Sequence, residues 1–278
     1  MSHIHIPDGV LPLWLWVAGW IAALVMVFLA ARTASRSEVR RKVPLVGVVA
    51  ALMIVAMSSE IVPIAYHVNL SVIGGILLGP SLSIIASFIV VVVLALFGHG
   101  GVTVVGLNAA VIGAEMVLGW ALFHLLVRAF GRMRAGVSAG FATVVTLALT
   151  TTMVVGIVWL AGVGEAAERE TGALDPAALR FENPFAEGLF SVGLGAHEHE
   201  DEHNEDDHDE EHAGDGASLS VARFATVVYI LGPFGWVIEG LVAAGIIGYV
   251  ARVRPAMIFE GALAEEHHRI PGDESGGH

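Results

Sequence analysis

The most regular feature of this sequence is a series of long apolar stretches separated by short polar ones. They lie at 11–31, 44–66, 69–97, 103–127, 136–162 and 222–251. A helix needs about 20 consecutive apolar residues to cross a bilayer, and every one of these stretches is long enough. The pattern predicts an all-α polytopic membrane protein, whose single transmembrane domain comprises 1–162 and 222–254.

Basic residues indicate which ends of the stretches face the cytoplasm. They cluster at 32–42, at Arg128, Arg132 and Arg134, and at Arg252 and Arg254. Such clusters concentrate on the cytoplasmic side of membrane proteins. An even number of crossings must then separate the first two clusters, so the stretch 69–97 must enter the membrane and return, turning at Gly79 and Pro80. This predicts about seven transmembrane helices, with the N-terminus outside and the C-terminus inside.

Composition excludes several classes of protein. The chain is 55% hydrophobic and 15% charged, whereas a soluble domain is about 45–50% apolar and about 25% charged. We therefore do not expect a soluble enzyme. Lys42 is the single lysine, which excludes the Gly-Lys-Ser/Thr loop that binds ATP phosphates. The absence of cysteine excludes disulfides and thiolate metal sites.

The predicted topology places the loop 163–221 outside the cell and the polar tail 255–278 in the cytoplasm. The net charge of the chain is −13. The low-complexity tract 197–212 contributes −10 of this charge, because it contains ten acids and no base. This composition predicts disorder. The tract also holds five imidazoles, which favour loose, unselective collection of divalent transition metals; the alternative is a solvating acidic spacer. The histidines are His197, His199, His203, His208 and His212.

Four other histidines fall at the predicted outer face: His3, His5, His67 and His99. A terminal amine, a deprotonated amide and a nearby imidazole together form a planar nitrogen set that favours Ni(II) or Cu(II). His3 could complete such a chelate, with Ser2 supplying the amine if Met1 is removed, and His67 is the best candidate for a further ligand.

Each of these histidines also has a simpler interpretation. The terminal ones could be merely polar and frayed, and His67, beside Tyr66, could be an interfacial residue. His99 stands in a Gly-His-Gly-Gly sequence, which favours a tight turn between helices.

Polar residues inside the apolar stretches are costly and usually functional or paired. Glu60, Asn69 and Asn108 are candidates to support the metal ligands from outside the coordination sphere, as is His99. Glu115 and Glu239 have no partner that the sequence identifies. Small residues at Gly19/Ala23 and Gly47/Ala51 predict close helix packing.

Four motifs resemble the nickel/cobalt substrate-capture (S) components of energy-coupling-factor transporters, the CbiM/NikM type. They are HIPDG at 5–9, GGILLGP at 74–80, FGHGGVTVVGLN at 97–108 and VIEGLV at 237–242. The resemblance implies a seven-helix module in which the terminal amine, the amide and imidazole of the second residue, and a histidine after the second span hold the metal. His5 opens the same Ile-Pro-Asp-Gly here, but three extra residues precede Ile4, so the free amine is not where the family has it. Three alternatives follow: the terminus is processed, His3 chelates with Ser2 as the amine, or His5 binds without the amine.

The resemblance also implies partners in the prokaryotic plasma membrane and a link to cobalamin biosynthesis. The partners are ATP-binding-cassette ATPase subunits, a transmembrane coupling (T) subunit and a small accessory membrane subunit, in contact with membrane lipid and without nucleic acid. The chain would carry no permanent cofactor and would bind Ni²⁺ or Co²⁺ as its transported ligand. It would not itself be an enzyme. The alternative is a stand-alone secondary transporter for a divalent transition metal such as Zn²⁺.

Overall fold

The computed structural model describes residues 11–58, 69–98, 101–171 and 221–259, and these residues are almost entirely helical. The described residues form seven α-helices, and a short 3₁₀ turn, Arg132–Arg134, joins α5 to α6. The helices are α1 (Leu13–Thr33), α2 (Arg36–Ser58), α3 (Ser71–Leu78), α4 (Pro80–Leu96), α5 (Val105–Phe130), α6 (Ala135–Thr171) and α7 (Val221–Val253). The prediction of an all-α polytopic membrane protein is confirmed.

Five of these helices (α1, α2, α5, α6 and α7) are long and apolar enough to cross a membrane. The other two, α3 and α4, have 8 and 17 residues. At ~1.5 Å per residue they are about 12 Å and 26 Å long, so α3 cannot cross a bilayer core of about 30 Å. The stretch 69–97 is therefore divided into a short helix and a longer one, with the break at Gly79 and Pro80 that the sequence predicts.

The break between α3 and α4 falls at Gly79, which has φ +82°, a backbone conformation that costs glycine little. Pro80 follows as the first residue of α4, where its missing N–H is no loss. Lys42 of α2 donates to the carbonyl of Leu78 at 3.1 Å, and Ser81 of α4 bonds Thr33 of α1 at 3.0 Å. The break thus lies at the end of the bundle that carries the basic residues 32–42, where the sequence predicts it.

Helix α2 begins eight residues earlier than the apolar pattern predicts. Its first turns are polar, but Ser35 Oγ accepts the backbone N–H of Glu38 at 3.2 Å, which caps the helix. Glu38 in turn pairs with Lys42 one turn later at 3.3 Å. These local bonds extend the helix outside the apolar segment. Helix α6 likewise continues past the predicted boundary at 162, as far as Thr171.

Helix α5 is the centre of the bundle, because it packs against α1, α3, α4 and α6. Its buried side chains include Ile112, Met116 and Phe123, which are at most 1% exposed. Helices α6 and α7 form an antiparallel pair in which Gly140 and Gly240 face each other; a Cβ on Gly140 would lie 2.8 Å from the carbonyl of Gly240. Small residues permit this approach, as in membrane helix pairs generally.

Of the two small-residue pairs noted in the sequence, Gly19 is used in packing and Gly47 is not. A Cβ on Gly19 would lie 2.7 Å from Leu107 of α5, whereas a Cβ on Gly47 would meet no described atom within 4 Å. The most confined position is Gly75 of α3, where a Cβ would lie 2.1 Å from the carbonyl oxygen of Met116. Helix α3 therefore rests directly on the backbone of α5.

We expect Gly75→Ala to destabilise the protein markedly, because backbone atoms cannot move aside as a flexible side chain does. Gly47→Ala is the matched control. It lies in a helix with open space around it, so we expect unchanged or slightly higher stability from the better helix propensity of alanine. Thermal unfolding in detergent measures both. Equal melting temperatures for the two variants would contradict the packing of α3 on α5.

Candidate functional site

The most unusual feature of the bundle is a cluster of polar side chains buried among apolar helices. Asn69, Ser71, Glu115, Thr150 and Glu239 are each no more than 5% exposed. They come from the start of α3, the middle of α5 and α6, and the second half of α7. We call these five residues the Asn69 cluster. Two carboxylates in such a position are expensive unless they are hydrogen-bonded.

Asn69 is the residue that joins the cluster. Its backbone N–H donates to Glu239 Oε1 at 3.1 Å, and its side-chain amide donates to Glu115 Oε1. Its own Oδ1 accepts two bonds from Ser71, one from the backbone N–H at 2.8 Å and one from the hydroxyl. One asparagine thus contacts both buried acids and holds the first turn of α3.

Helix α6 completes the cluster through Thr150, whose hydroxyl donates to Glu115 Oε2 at 3.2 Å. Glu115 therefore accepts bonds at both carboxylate oxygens. Hydrogen bonds to charged groups contribute about 1.5–3 kcal/mol each. The cluster consequently fixes the position of Asn69 relative to three long helices, α5, α6 and α7.

Two more buried polar atoms lie within one turn of the cluster. Thr146 Oγ1 and Trp236 Nε1 have no hydrogen-bond partner among the described residues. Thr146 precedes Thr150 by one turn of α6, and Trp236 precedes Glu239 by three residues of α7. Buried polar atoms in this part of the bundle therefore extend beyond the five residues of the Asn69 cluster.

The cluster offers carboxylate, amide and hydroxyl oxygens. Oxygen donors suit hard cations, whereas imidazole nitrogen suits nickel and other transition metals. Within 11–58, 69–98, 101–171 and 221–259, no group of three or more His, Asp or Glu side chains is placed to hold a metal. The Asn69 cluster contains no histidine, and its hydrogen bonds join the start of α3 to α5 and α7 and join α5 to α6.

Most of the predicted site residues lie outside the described residues. These are Ser2, His3, His5, Glu60, His67, His99, His197, His199, His203, His208 and His212. Their roles stay predictions. Asn108 is described: it is buried, 4% exposed, on α5 two turns before Glu115. The remaining described candidate, Asn69, lies at the centre of the cluster.

The sequence marks Glu115 and Glu239 as unusual but does not identify their partner. The reason is distance along the chain: Asn69 is 46 residues from Glu115 and 170 residues from Glu239. No local spacing reveals such a contact. The available signal is general, because an acid within an apolar stretch demands a polar partner. Asn69, at the start of an apolar stretch, is one of few candidates to provide it.

We expect Asn69→Asp to lower the free energy of unfolding of the protein by about 1–3 kcal/mol or more. Aspartate keeps the acceptor for Ser71 and the backbone N–H for Glu239, but it loses the donor to Glu115 and adds a negative charge. The double variant N69D/E115Q restores one donor and one acceptor between these positions, so it should recover much of the loss.

The matched control is Ser58→Ala, which removes an exposed hydroxyl bonded to the carbonyl of Val55 at 3.2 Å and should leave stability almost unchanged. A melting temperature of N69D equal to that of S58A would contradict the structural role of the cluster. Failure of E115Q to restore stability in the double variant would contradict the direct bond between Asn69 and Glu115.

Comparison with known proteins agrees with this architecture. Residues 5–257 match the family model described as CbiM, cobalt uptake substrate-specific transmembrane region. The matched range contains all seven α-helices and the Asn69 cluster. No solved structure matches the chain.

Three relatives show how far the similarity extends. A protein of Haloquadratum walsbyi, provisionally named a metal transport protein, is 38% identical over 161 residues, which is 55% of this chain and 72% of the relative. The cobalt transport protein CbiM of Geobacter sulfurreducens is 34% identical over 161 residues, 52% of this chain but 46% of the relative.

The third relative, provisionally named cobalt transport protein CbiM, comes from Halobacterium salinarum and is 26% identical over 265 residues, covering 91% of this chain and 96% of its own length. The apolar helices and the family match together identify a multi-pass membrane protein of metal transport. The chain belongs to the CbiM family, the substrate-specific transmembrane components of cobalt uptake.

Proposed function

We propose that this protein captures Ni²⁺ or Co²⁺ at the outer face of the plasma membrane and delivers it to an ATP-driven energy-coupling-factor transporter. The observation that supports this most directly is the position of Asn69. Its bonds to Glu115 and Glu239 fix the backbone two residues after His67. Because two residues span at most about 7 Å, the Cα of His67 lies within that distance of the Asn69 Cα in any conformation.

A fixed attachment point matters for a metal ligand. Metal sites need their ligands held by supporting hydrogen bonds, since a loosely held imidazole loses selectivity for the preferred geometry. The Asn69 cluster holds the backbone to which the segment 59–68, between α2 and α3, is attached. In this proposal His67 closes a site whose other donors are His3, His5 and the amine of Ser2. Glu60, His99, Asn69 and Asn108 support the ligands.

The proposed topology has seven helices in the membrane, with the N-terminus outside and the C-terminus inside. Helices α3 and α4 together form the entering and returning pair, because their break lies beside the basic residues of α2. The acidic tract 197–212 then lies outside and raises the local metal concentration. ATP hydrolysis comes from separate ATPase subunits, coupled through a T subunit and a small accessory membrane subunit.

A second candidate function is a stand-alone secondary transporter for a divalent cation. The sequence argues against this function. A secondary transporter needs ionisable residues deep in several helices, and the intramembrane acids here are few and have no partner that the sequence identifies. The structure weakens that objection, since Glu115 and Glu239 both bond Asn69. The two functions differ in one requirement: secondary transport continues in cells that lack every partner ATPase, whereas capture for an energy-coupling-factor transporter does not.

We expect a variant that lacks only the tract 197–212 to bind one Ni²⁺ tightly, with the yellow colour of a planar nitrogen site. Removing a supporting residue around a metal ligand weakens binding about 10–100-fold, so removing a ligand should weaken it more than about 100-fold. His67→Ala and the pair His3→Ala/His5→Ala should therefore both lose tight binding. Isothermal titration with Ni²⁺ and Co²⁺, together with the visible spectrum, measures this.

His267→Ala/His268→Ala is the matched control, because it removes two histidines of the C-terminal tail and should bind metal as the parent does. The N-terminal mass of each preparation shows whether Ser2 carries the amine, and the melting temperature shows whether each variant is folded. Folded His67→Ala protein with the parent's Ni²⁺ affinity would refute the proposed site.

A further inference from the structure

A second feature lies at the opposite end of the bundle from the proposed metal site. It is a cavity of about 810 Å³, a size typical of small-molecule sites. Its walls come from the start of α2, the break between α3 and α4, the end of α5 and the residues after α7. We call it the basic cavity, and neither the metal site nor the Asn69 cluster includes any of its residues.

The walls of the basic cavity are strongly positive. Among the residues that the structure describes, they contain Arg41, Lys42, Arg128 and Arg132, against one acid, Glu38. Lys42 pairs with Glu38 at 3.3 Å and donates to the carbonyl of Leu78 at 3.1 Å. Counted over this described lining, the four bases exceed the single acid by three charges.

The ends of four helices also line the cavity. Ser35 and Ser37 at the start of α2, and Gly79 and Pro80 at the start of α4, bring two helix N-termini, each with about half a positive charge. The ends of α3 and α5 bring two C-termini with the opposite partial charge. The helix dipoles therefore roughly cancel, and the preference for an anion comes from the basic side chains.

The rest of the lining is apolar and comes from Ile76, Leu77, Trp120, Val127, Met257, Ile258 and Phe259. Arg132 lies over the ring of Phe259, with its guanidinium carbon 5.4 Å from the ring centre. His124 also lines the cavity, and its Nδ1 bonds the carbonyl of Trp120 on the same helix at 2.9 Å. A cavity with an arginine-rich part and an apolar part fits a ligand that has both a charge and a hydrocarbon chain.

We propose that the basic cavity binds an anionic phospholipid, with the phosphate at the arginines and an acyl chain against the apolar wall. The location favours a lipid because clusters of bases at helix ends mark the headgroup level of the cytoplasmic leaflet. Basic pockets between transmembrane helices at this level bind anionic headgroups. A bound lipid would join the ends of α2 and α5 to the segment that follows α7.

The test uses the full-length protein, stripped of lipid in detergent and titrated with phosphatidylglycerol or phosphatidylcholine, with bound lipid counted by native mass spectrometry. We expect phosphatidylglycerol to bind at least tenfold more tightly. The variant R41Q/R128Q should weaken phosphatidylglycerol binding about 30-fold, because each base near an anionic headgroup contributes about a factor of five. Binding of phosphatidylcholine should not change.

The matched control is R134Q/R252Q, which removes two bases from the same end of the bundle but outside the cavity. It should change phosphatidylglycerol binding less than threefold. An equal loss in both double variants would overturn the proposal, because binding would then follow total surface charge. Melting temperatures equal to that of the parent confirm that the variants are folded.

Two further outcomes would also overturn it. Glycerol 3-phosphate has the headgroup charge without an acyl chain, and competition at the affinity of the lipid would assign the cavity to a soluble anion. Residues 260–278 follow Phe259 and are rich in acids. If phosphatidylglycerol binds only after these residues are removed, the occupant is the tail of the same chain.

Discussion

The two carboxylates of Glu115 and Glu239 lie in an apolar helix bundle, and their need for hydrogen bonds determines much of its arrangement. An unsatisfied polar group in such surroundings costs several kcal/mol, so the fold must bring partners to these residues. Asn69 meets that need with both its backbone and its side chain, and Thr150 adds a bond from α6. The contact between α3, α5, α6 and α7 therefore has a polar centre inside an apolar shell. Apolar packing alone allows helices to slide and rotate, whereas directional bonds specify one register.

The position of α3 shows how this polar centre works together with close packing. The helix has only eight residues and is too short to be stable by itself. Asn69 holds its first turn, Lys42 binds the carbonyl of its last residue, and Gly75 brings its middle onto the backbone of Met116. A discontinuous helix is tolerated at membrane depth when its ends find polar partners within the protein. Broken helices of this kind commonly occur at the substrate sites of membrane transporters.

The sequence predicts the features that depend on local pattern. The apolar stretches and the Gly79-Pro80 break follow from composition and backbone chemistry, and both agree with the structure. The apolar pattern does not predict the early start of α2, because the Ser35 cap and the Glu38–Lys42 pair extend the helix through polar residues before the apolar stretch. The partners of Glu115 and Glu239 could not be predicted, since contacts 46 and 170 residues apart depend on tertiary packing. The histidine ligands remain predictions from the motif and its chemistry.

The distribution of charge along the bundle bears on how a metal could leave the protein. Nitrogen donors are proposed at the outer face, oxygen donors lie in the Asn69 cluster, and the opposite end holds three arginines and a lysine around one cavity. A divalent cation that reached this cavity would meet strong repulsion, because charges near a protein surface still interact by several kcal/mol at 4 Å. An anionic lipid would reduce the repulsion but would also fill the space. The cavity is therefore a poor exit for a cation in either case. A metal that binds at the outer face would therefore have to leave the protein by a path that avoids the basic cavity.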